Sequence, residues 1–309
     1  MPNRPRSEPR SGWLAGVAPA LPAAVWYAVF FVLPLAIILV YSVGYKPPSG
    51  SAQSSIALDR LSLDNYRATA TPLFAELFLL TLRTAIVGTA LCLLVAFPVA
   101  YTLATRVPER WRSMALAAII VPFWTSFLLR TFAWRILLAA NGPLSEALQY
   151  LGVLGGPLRV LDTVGAVQLG VVYNYLPMMI FPIFVTLHEM DPALREASMD
   201  LGAGHVRTFL SVTLPLALPG VSAGLGIVFV PLAGEYVTPA ILGGVRGAMA
   251  GNLIASQFLE AQNWALGAAQ AVVLVALILL VVGLAWCAGA GLRVLTHRRT
   301  DIWRGTTSS

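Results

Sequence analysis

The sequence predicts an all-α integral membrane protein with six transmembrane helices and both termini in the cytoplasm. Three observations lead to this fold class: a high share of hydrophobic residues, six long apolar segments, and an uneven distribution of Lys and Arg between the loops. Of the 309 residues, 58% are hydrophobic and only 11% are charged, against about a quarter in soluble domains. A soluble chain of this length could not bury so much apolar surface, so lipid is the expected solvent for most of it.

A membrane-spanning helix needs about 20 mostly apolar residues, and six segments are long enough. In order, they are Pro19–Val43, Glu76–Ala104, Met114–Ala140, Val164–Leu187, Leu214–Gly234 and Leu266–Leu292. The first is longer than the apolar region of a cleaved signal peptide, which has only about 7–15 residues, so we expect a retained helix. Residues 1–18 and 293–309 are predicted to be cytoplasmic tails, and residues 19–292 are predicted to form the six-helix transmembrane domain.

Lys and Arg in the loops predict the orientation, because they concentrate on the cytoplasmic side. Alternate loops and tails carry twelve of these residues on one side and five on the other, and Arg83, Arg130 and Arg135 lie near span ends. The richer side has Arg4, Arg6, Arg10, Arg106, Arg110, Arg112, Arg195, Arg207, Arg293, Arg298, Arg299 and Arg304. That side is predicted to be cytoplasmic. No basic run is interleaved with aromatic residues, so the net charge of +6 indicates topology and not a nucleic-acid partner.

The chain shows no pattern typical of an enzyme. Cys92 and Cys287 lie in apolar stretches and are expected to be small buried hydrophobes. The three histidines are scattered, so no metal site is expected. No GxxxxGK[ST] phosphate loop is present, and we therefore expect no ATP hydrolysis by this chain. An integral-membrane enzyme would need a clustered catalytic set, which the predicted inner loops lack.

The longest polar interval on the predicted inner side, residues 188–215, predicts a short helix, a glycine turn and a second short helix. Asp191 and Pro192 suit the start of the first helix, because Asp caps exposed N–H groups and Pro is tolerated in the first turn. Gly202 and Gly204 suit its end, because glycine readily adopts the left-handed conformation of a tight exit. The two helices are predicted at Ala193–Leu201 and about His205–Val212. Together they form a compact knob that projects beyond the bilayer.

A knob of this kind fits a groove on a soluble partner. Its first helix presents Glu196, Met199 and Asp200, a mixed apolar and acidic face. Composition alone leaves an ordinary solvated loop open as the alternative.

The spacing within this interval resembles the cytoplasmic loop of binding-protein-dependent ABC importer permeases. That family has Glu-Ala-Ala, three residues, Gly, nine residues, and then Ile-x-Leu-Pro. The residues at those positions here are Glu196, Ala197, Ser198, Gly202, Val212, Thr213, Leu214 and Pro215. Ser198 and Val212 are the departures, in place of Ala and Ile. The resemblance implies the type I ABC importer permease fold, with this loop as the coupling helix held in a cleft of a separate ATPase. The residues it implies for coupling are Glu196, Ala197, Ser198, Asp200, Gly202 and Pro215.

The resemblance also implies partners. They are two ATPase subunits, which use the ATP, a second permease subunit, expected to be a different chain, and a periplasmic substrate-binding protein. No cofactor is expected in this chain, and the location is the bacterial inner membrane. ATP binding would close the ATPase subunits and move the permease pair by alternating access. A secondary transporter driven by an ion gradient is the alternative, although it would carry more spans and paired intramembrane acids.

Further stretches resemble the spermidine/putrescine permeases within this family. They are residues 122–134 with Asn141-Gly142, residues 173–177, residues 234–239 with Leu242-Gly243-Gly244, and Gln257-Phe258 followed by Asn263-Trp264. With the coupling loop, the resemblance covers about Asp64 to Gly291 and implies a polyamine cargo. Permeases for iron, aminoethylphosphonate, opines and thiamine look broadly alike, so another small solute remains the alternative.

Glu235 ends the apolar run of the fifth predicted span, and an ionisable residue in such a span is a candidate functional residue. The same run contains Pro219, Gly220, Gly224, Gly226 and Pro231. Transporters commonly place binding sites at interrupted helices of this kind. The Glu235 carboxylate would pair with a substrate ammonium group; a structural ion pair with a nearby Arg is the alternative. The Gly-rich segment Glu235–Trp264 could dip back into the membrane. Such a segment requires protein groups or water to form hydrogen bonds with its backbone.

Aromatic faces attract an ammonium group by cation–π interaction, and an amide can add a hydrogen bond. The candidates are Trp124, Tyr173, Tyr175 and Tyr236 for the first role and Asn174 for the second. Anchoring at the membrane interface or packing is the alternative for each aromatic residue. Arg130 and Arg135, toward the outer end of the third span, would repel a cation and so keep an anionic cargo open. The alternatives are that they pair with acidic groups such as Glu235 or that they dock the binding protein.

Overall fold

The computed structural model of the chain describes residues 21–47 and 56–305, with the backbone alone for residues 288–305. The predicted N-terminal tail and its three arginines lie outside the described residues. Within the described part the regular structure is helical, and the β-type pairing is limited to one isolated bridge between Tyr45 and Ala57. The all-α prediction is confirmed.

Among the described residues, five helices are long and apolar enough to cross a membrane, and a bent pair of helices provides a sixth candidate span. The five are α1 (Leu21–Ser42), α3 (Pro72–Thr105), α7 (Val164–His188), α9 (His205–Ala233) and α11 (Trp264–Gly305). The shorter helices are α2 (Asp64–Thr69), α4 (Glu109–Ile120), α5 (Phe127–Leu137), α6 (Pro143–Tyr150), α8 (Ala193–Asp200) and α10 (Ala250–Leu259). Five of the six predicted spans therefore coincide with one continuous helix each.

The third predicted span, Met114–Ala140, is not one straight helix. Helix α4 continues into a 3₁₀ turn, Val121–Trp124, and this part meets α5 at an angle of 89°. Thr125 and Ser126 are extended, with ψ values of 153° and 135°, so the helical ladder stops there. The Thr125 hydroxyl donates to the carbonyl of Pro122 at 2.6 Å and satisfies an acceptor that the break releases.

The chain divides into two compact units. The smaller one comprises the N-terminal part as far as Thr69 together with Gln257–Val273, and the larger one comprises Ala70–Ser256 and the chain from Leu274 onward. In the smaller unit, α2 is fastened to the end of α1. The Asn65 amide donates to the carbonyls of Ser42 and Gly44 at 3.1 and 2.6 Å, which ends the α1 helix at a defined position.

The core of the larger unit lies where α3, α7 and α9 pack together. Its fully buried apolar residues include Ala85, Cys92, Ala96, Ala100, Val167, Val171, Met179, Ile183, Ala217, Val228 and Leu232. Small residues on α3 let α7 approach closely, as is typical of membrane helices. Cys92 is buried as predicted, whereas Cys287 is exposed together with its neighbours on α11; the prediction was wrong for Cys287.

Two glycines mark the crossing of α9 and α7. A Cβ atom at Gly220 would lie 2.5 Å from the Pro182 carbonyl oxygen and 2.5 Å from the Thr186 hydroxyl. At Gly224 it would lie 2.7 Å from the sulfur of Met179. At Gly220 the contact includes the backbone carbonyl of Pro182, which cannot yield easily.

We expect Gly220→Ala to lower the free energy of unfolding by about 1–3 kcal/mol, because the added methyl group overpacks this crossing. Gly226→Ala on the same helix is the matched control, since its Cβ would meet nothing within 4 Å. Thermal unfolding of the purified variants in detergent measures the difference. Equal unfolding temperatures for the two variants would contradict the close contact.

Candidate functional site

The predicted knob is present at residues 191–208. Helix α8 begins as expected, with the Asp191 carboxylate accepting the N–H of Ala193 at 2.9 Å. It ends at Gly202, whose φ of +84° is left-handed and therefore suits glycine. Gly204, by contrast, is extended, with a φ of −68°. Only the first of the two glycines has the conformation predicted for both.

The second predicted helix of the knob is not a separate element. His205–Thr208 continues through a π-helical turn, Phe209–Thr213, into the rest of α9. Pro215 lacks the N–H that would bond to the carbonyl of Ser211 in a regular helix, and a wider turn accommodates the missing bond. The fifth span therefore begins inside the knob and is continuous with it.

The coupling candidates Glu196, Ala197 and Asp200 are exposed on α8, and Glu196 also lines a pocket together with His205 and Phe209 of α9. Within the described residues, neither the Glu196 nor the Asp200 carboxylate has a hydrogen-bond or ion-pair partner. The Ser198 hydroxyl of the same helix is 3.0 Å from that of Thr208, which is buried. This bond connects α8 to the start of α9.

The six residues predicted for the substrate path fall into two groups. Asn174, Tyr175 and Glu235 are buried, with exposed fractions of 2%, 8% and 7%. Trp124, Tyr236 and Tyr173 are exposed, with fractions of 85%, 47% and 38%. In this conformation only the three exposed aromatic residues can contact a partner or a solute directly.

Glu235 lies at the break that follows α9, and its carboxylate is fully engaged. The Tyr175 hydroxyl donates to Oε2 at 2.6 Å. The backbone N–H groups of Val237 and Thr238 donate to Oε1 at 2.8 and 3.1 Å. Glu235 therefore caps the helical turn that leads into Pro239–Gly243, and charge-assisted bonds of this kind are stronger than neutral ones.

The two arginines considered as partners of Glu235 bind backbone carbonyls instead. Arg135 donates to the carbonyl of Ile241. Arg130 lies over the ring of Phe123, with its guanidinium carbon 4.1 Å from the ring centroid, and donates to the carbonyl of Pro122 at 3.4 Å. Among the described residues, no ion pair reaches Glu235, so the alternative of a Glu–Arg pair is not observed.

Asn174 and Tyr173 connect α7 to the bent span. The Asn174 amide donates to the hydroxyl of Thr131 at 3.2 Å, and the Tyr173 ring meets that of Trp134 edge-on at a centroid distance of 5.4 Å. Thr131 was not identified from the sequence, where a lone Thr in an apolar span carries no distinguishing signal. The role of Asn174 in this conformation is to hold α5 against α7.

In the Gly-rich segment after α9, two backbone N–H groups donate hydrogen bonds to side chains. The N–H of Ala250 donates to the Thr81 hydroxyl at 2.8 Å, and the N–H of Met249 donates to the Asn252 carbonyl group at 3.0 Å. Irregular backbone at membrane depth would require such partners, but that this segment dips into the membrane stays a prediction. Asn252 follows Met249 by three residues, which is half of a capping-box pattern and is the signal that sequence reasoning missed.

No protein-family model matches the chain. The chain is 37% identical over 241 residues to the spermidine/putrescine transport system permease protein PotB of Salmonella typhimurium (strain SL1344), which covers 78% of this chain and 83% of that protein. It is 38% identical over 213 residues to the protein of the same name from Escherichia coli (strain K12), covering 69% and 77% of the two chains.

Among solved structures, the chain is similar to a bacterial alginate ABC transporter in complex with an alginate pentasaccharide-bound periplasmic protein. The TM-score is 0.67 at 13% identity, and the match covers 89% of this chain and 93% of that one. At this identity the likeness concerns the fold alone.

Proposed function

The chain belongs to the family of spermidine/putrescine transport permeases, the membrane subunits of ABC importers, and on that premise we propose that it forms the polyamine path of an importer powered by separate ATPase subunits. It is a multi-pass protein of the bacterial inner membrane. The observation that carries the proposal beyond the family is the knob, which presents unpaired carboxylates on a rigidly mounted helix.

Two ATPase subunits hydrolyse the ATP, and the chain itself needs no cofactor. The knob lies on the cytoplasmic side, with both termini, as the distribution of Lys and Arg indicates. Glu196 and Asp200 pair with basic residues in a cleft of the ATPase. Because α9 begins inside the knob, a movement of the ATPase is transmitted directly to the fifth span.

The substrate path lies against a second permease subunit, which is a different chain, and a periplasmic binding protein delivers the substrate to the outer face. The exposed rings of Trp124, Tyr173 and Tyr236 supply cation–π attraction for ammonium groups. The nearby arginines, Arg130 and Arg135, are held by backbone carbonyls. These bonds orient the guanidinium groups but leave their positive charges in place, so the polyamine cargo is proposed from the family and not from these arginines.

Reconstitution of the complete importer in proteoliposomes tests this function. We expect ATP-dependent accumulation of radiolabelled spermidine or putrescine, dependent on the binding protein, and co-purification of an ATPase subunit with this chain. Iron, aminoethylphosphonate and thiamine serve as comparison cargoes. ATP-dependent uptake of one of these without polyamine uptake would overturn the cargo assignment. If no ATPase subunit co-purified with the chain, the proposal that a separate ATPase powers the importer would be overturned.

A further inference from the structure

Tyr236 is exposed although the backbone on both sides of it is tightly held. Its ring stands at the break between α9 and the turn Pro239–Gly243, with 47% of the residue exposed. The residue before it, Glu235, is buried and caps the following turn. An exposed aromatic ring on a fixed backbone is preorganised for contact with a ligand, because little freedom is lost when the contact forms.

The carbonyl oxygen of Tyr236 accepts two hydrogen bonds, one from the N–H of Ala240 at 3.1 Å and one from Asn252, which lies 16 residues later. Its side-chain amide donates to the carbonyl oxygen of Tyr236 at 2.7 Å. Its side-chain carbonyl accepts the backbone N–H of Met249 at 3.0 Å. One carboxamide therefore joins the start of α10 to the backbone of Tyr236.

This bridge requires the chemistry of a carboxamide. Only Asn and Gln carry a donor and an acceptor side by side, and Gln is longer by one methylene group. An Asp at this position would keep the acceptor for Met249 but would face the Tyr236 carbonyl with a second oxygen. The two hydrogen bonds can thus be separated by a single substitution.

The packing around the bridge leaves no room for adjustment. A Cβ atom at Gly251 would lie 2.9 Å from the carbonyl oxygen of Glu235 and 3.0 Å from the Cβ of Tyr236. The N–H of Ala250 is held by the buried hydroxyl of Thr81. The start of α10 is therefore hydrogen-bonded to α3, and Asn252 links the start of α10 to the backbone of Tyr236.

We propose that Asn252 is a positioning residue for substrate passage, which holds Tyr236 in the orientation that meets an ammonium group of the cargo. The inference rests on the proposed function, since it takes Tyr236 as a contact of the cation. Asn252 itself does not touch the cargo. Its effect on transport passes through the backbone carbonyl of Tyr236.

The test is a double-mutant cycle between Asn252→Asp and Tyr236→Ala in the complete importer, with spermidine uptake and binding-protein-stimulated ATP hydrolysis measured in the same proteoliposomes. We expect Asn252→Asp to lower uptake about tenfold, the factor that corresponds to one lost hydrogen bond. ATP hydrolysis should stay within about twofold of wild type, because the knob is untouched. In the Tyr236→Ala background, Asn252→Asp should lower uptake no further.

Asn263→Asp is the matched control, because the Asn263 carbonyl group caps the N–H of Leu266 at 3.2 Å and Asp caps equally well. Uptake by this variant should equal wild type. Wild-type uptake by Asn252→Asp, or additive losses in the cycle, would overturn the positioning role. If Asn252→Asp does not reach the membrane, Asn252→Ala is tested in its place. If neither variant is found in the membrane, Asn252 is required for folding and the positioning role is overturned. A wild-type importer that moves no polyamine is a separate outcome, which defeats the proposed function itself.

Discussion

Replacement of Gly202 by Asp is expected to abolish most of the import while the protein remains in the membrane at its normal level. Gly202 has a φ of +84°, a conformation that costs a residue with a side chain about 1–2 kcal/mol. That cost corresponds to about a 5- to 30-fold fall in the population of the correct knob geometry. A Cβ at Gly202 would meet nothing within 4 Å, so the backbone and not a clash causes the loss.

The measurement is the amount of polyamine imported per ATP hydrolysed, and this ratio should fall because the ATPase continues to turn over without moving the permease. Gly202→Val should be more severe than Gly202→Asp, since β-branched residues tolerate a positive φ least. Gly204→Ala is a local control, because Gly204 has an ordinary φ of −68° and open space around it.

Gly152→Asp separates backbone strain in general from strain at the knob. Gly152 has a φ of +70°, and its Cβ also would meet nothing within 4 Å, but it follows α6, outside the knob. We expect import close to wild type. Normal import by Gly202→Asp would remove the knob from the coupling mechanism, whereas equal losses in Gly202→Asp and Gly152→Asp would point to a general defect.

The knob and five of the spans were predictable because local chemistry specifies them. The Asp191 cap and the left-handed Gly202 depend on neighbours within a few residues. The bent third span was not predictable in the same way. Pro122 is visible in the sequence, but prolines also lie inside the continuous helices α3, α7 and α9, at Pro98, Pro177, Pro182, Pro219 and Pro231. The break depends on the extended Thr125 and Ser126, which no local pattern distinguishes.

The candidate path residues were chosen from the sequence by residue type, and their contacts were not predictable from it. Tyr173, Asn174 and Tyr175 are consecutive, and successive residues of a helix point about 100° apart. One of them is therefore exposed while the other two are buried. The partner of Tyr175 is Glu235, which lies 60 residues away, and only the packing of α7 against the end of α9 brings them together.

The geometry around Glu235 makes two of its substitutions behave differently. Glu235→Ala would leave the buried Tyr175 hydroxyl, the buried N–H of Thr238 and the part-buried N–H of Val237 without an acceptor. Each unpaired group costs about 1–3 kcal/mol, so we expect a large drop in the amount of protein in the membrane. Glu235→Gln retains the shape and an oxygen acceptor for the two N–H groups, and its amide can donate to the Tyr175 oxygen.

Glu235→Gln therefore isolates the negative charge, and we expect normal protein level with polyamine uptake lowered about tenfold. The charge-assisted hydrogen bonds become neutral ones of about half the strength, which loosens the break beside Tyr236. Uptake of radiolabelled spermidine, normalised to protein in the membrane, measures the effect. Glu146→Gln, at an exposed carboxylate in α6, is the matched control and should import normally.

Full polyamine uptake by Glu235→Gln, together with the loss of protein in Glu235→Ala, would mean that the carboxylate serves as a helix cap alone. Reduced uptake would mean that its charge acts on the cargo or on the rigidity of the break. Tyr175→Phe separates these two, because it removes one donor and keeps the charge. If the charge attracts the ammonium group, Tyr175→Phe should retain more uptake than Glu235→Gln, since a carboxylate with one free oxygen remains available to a cation.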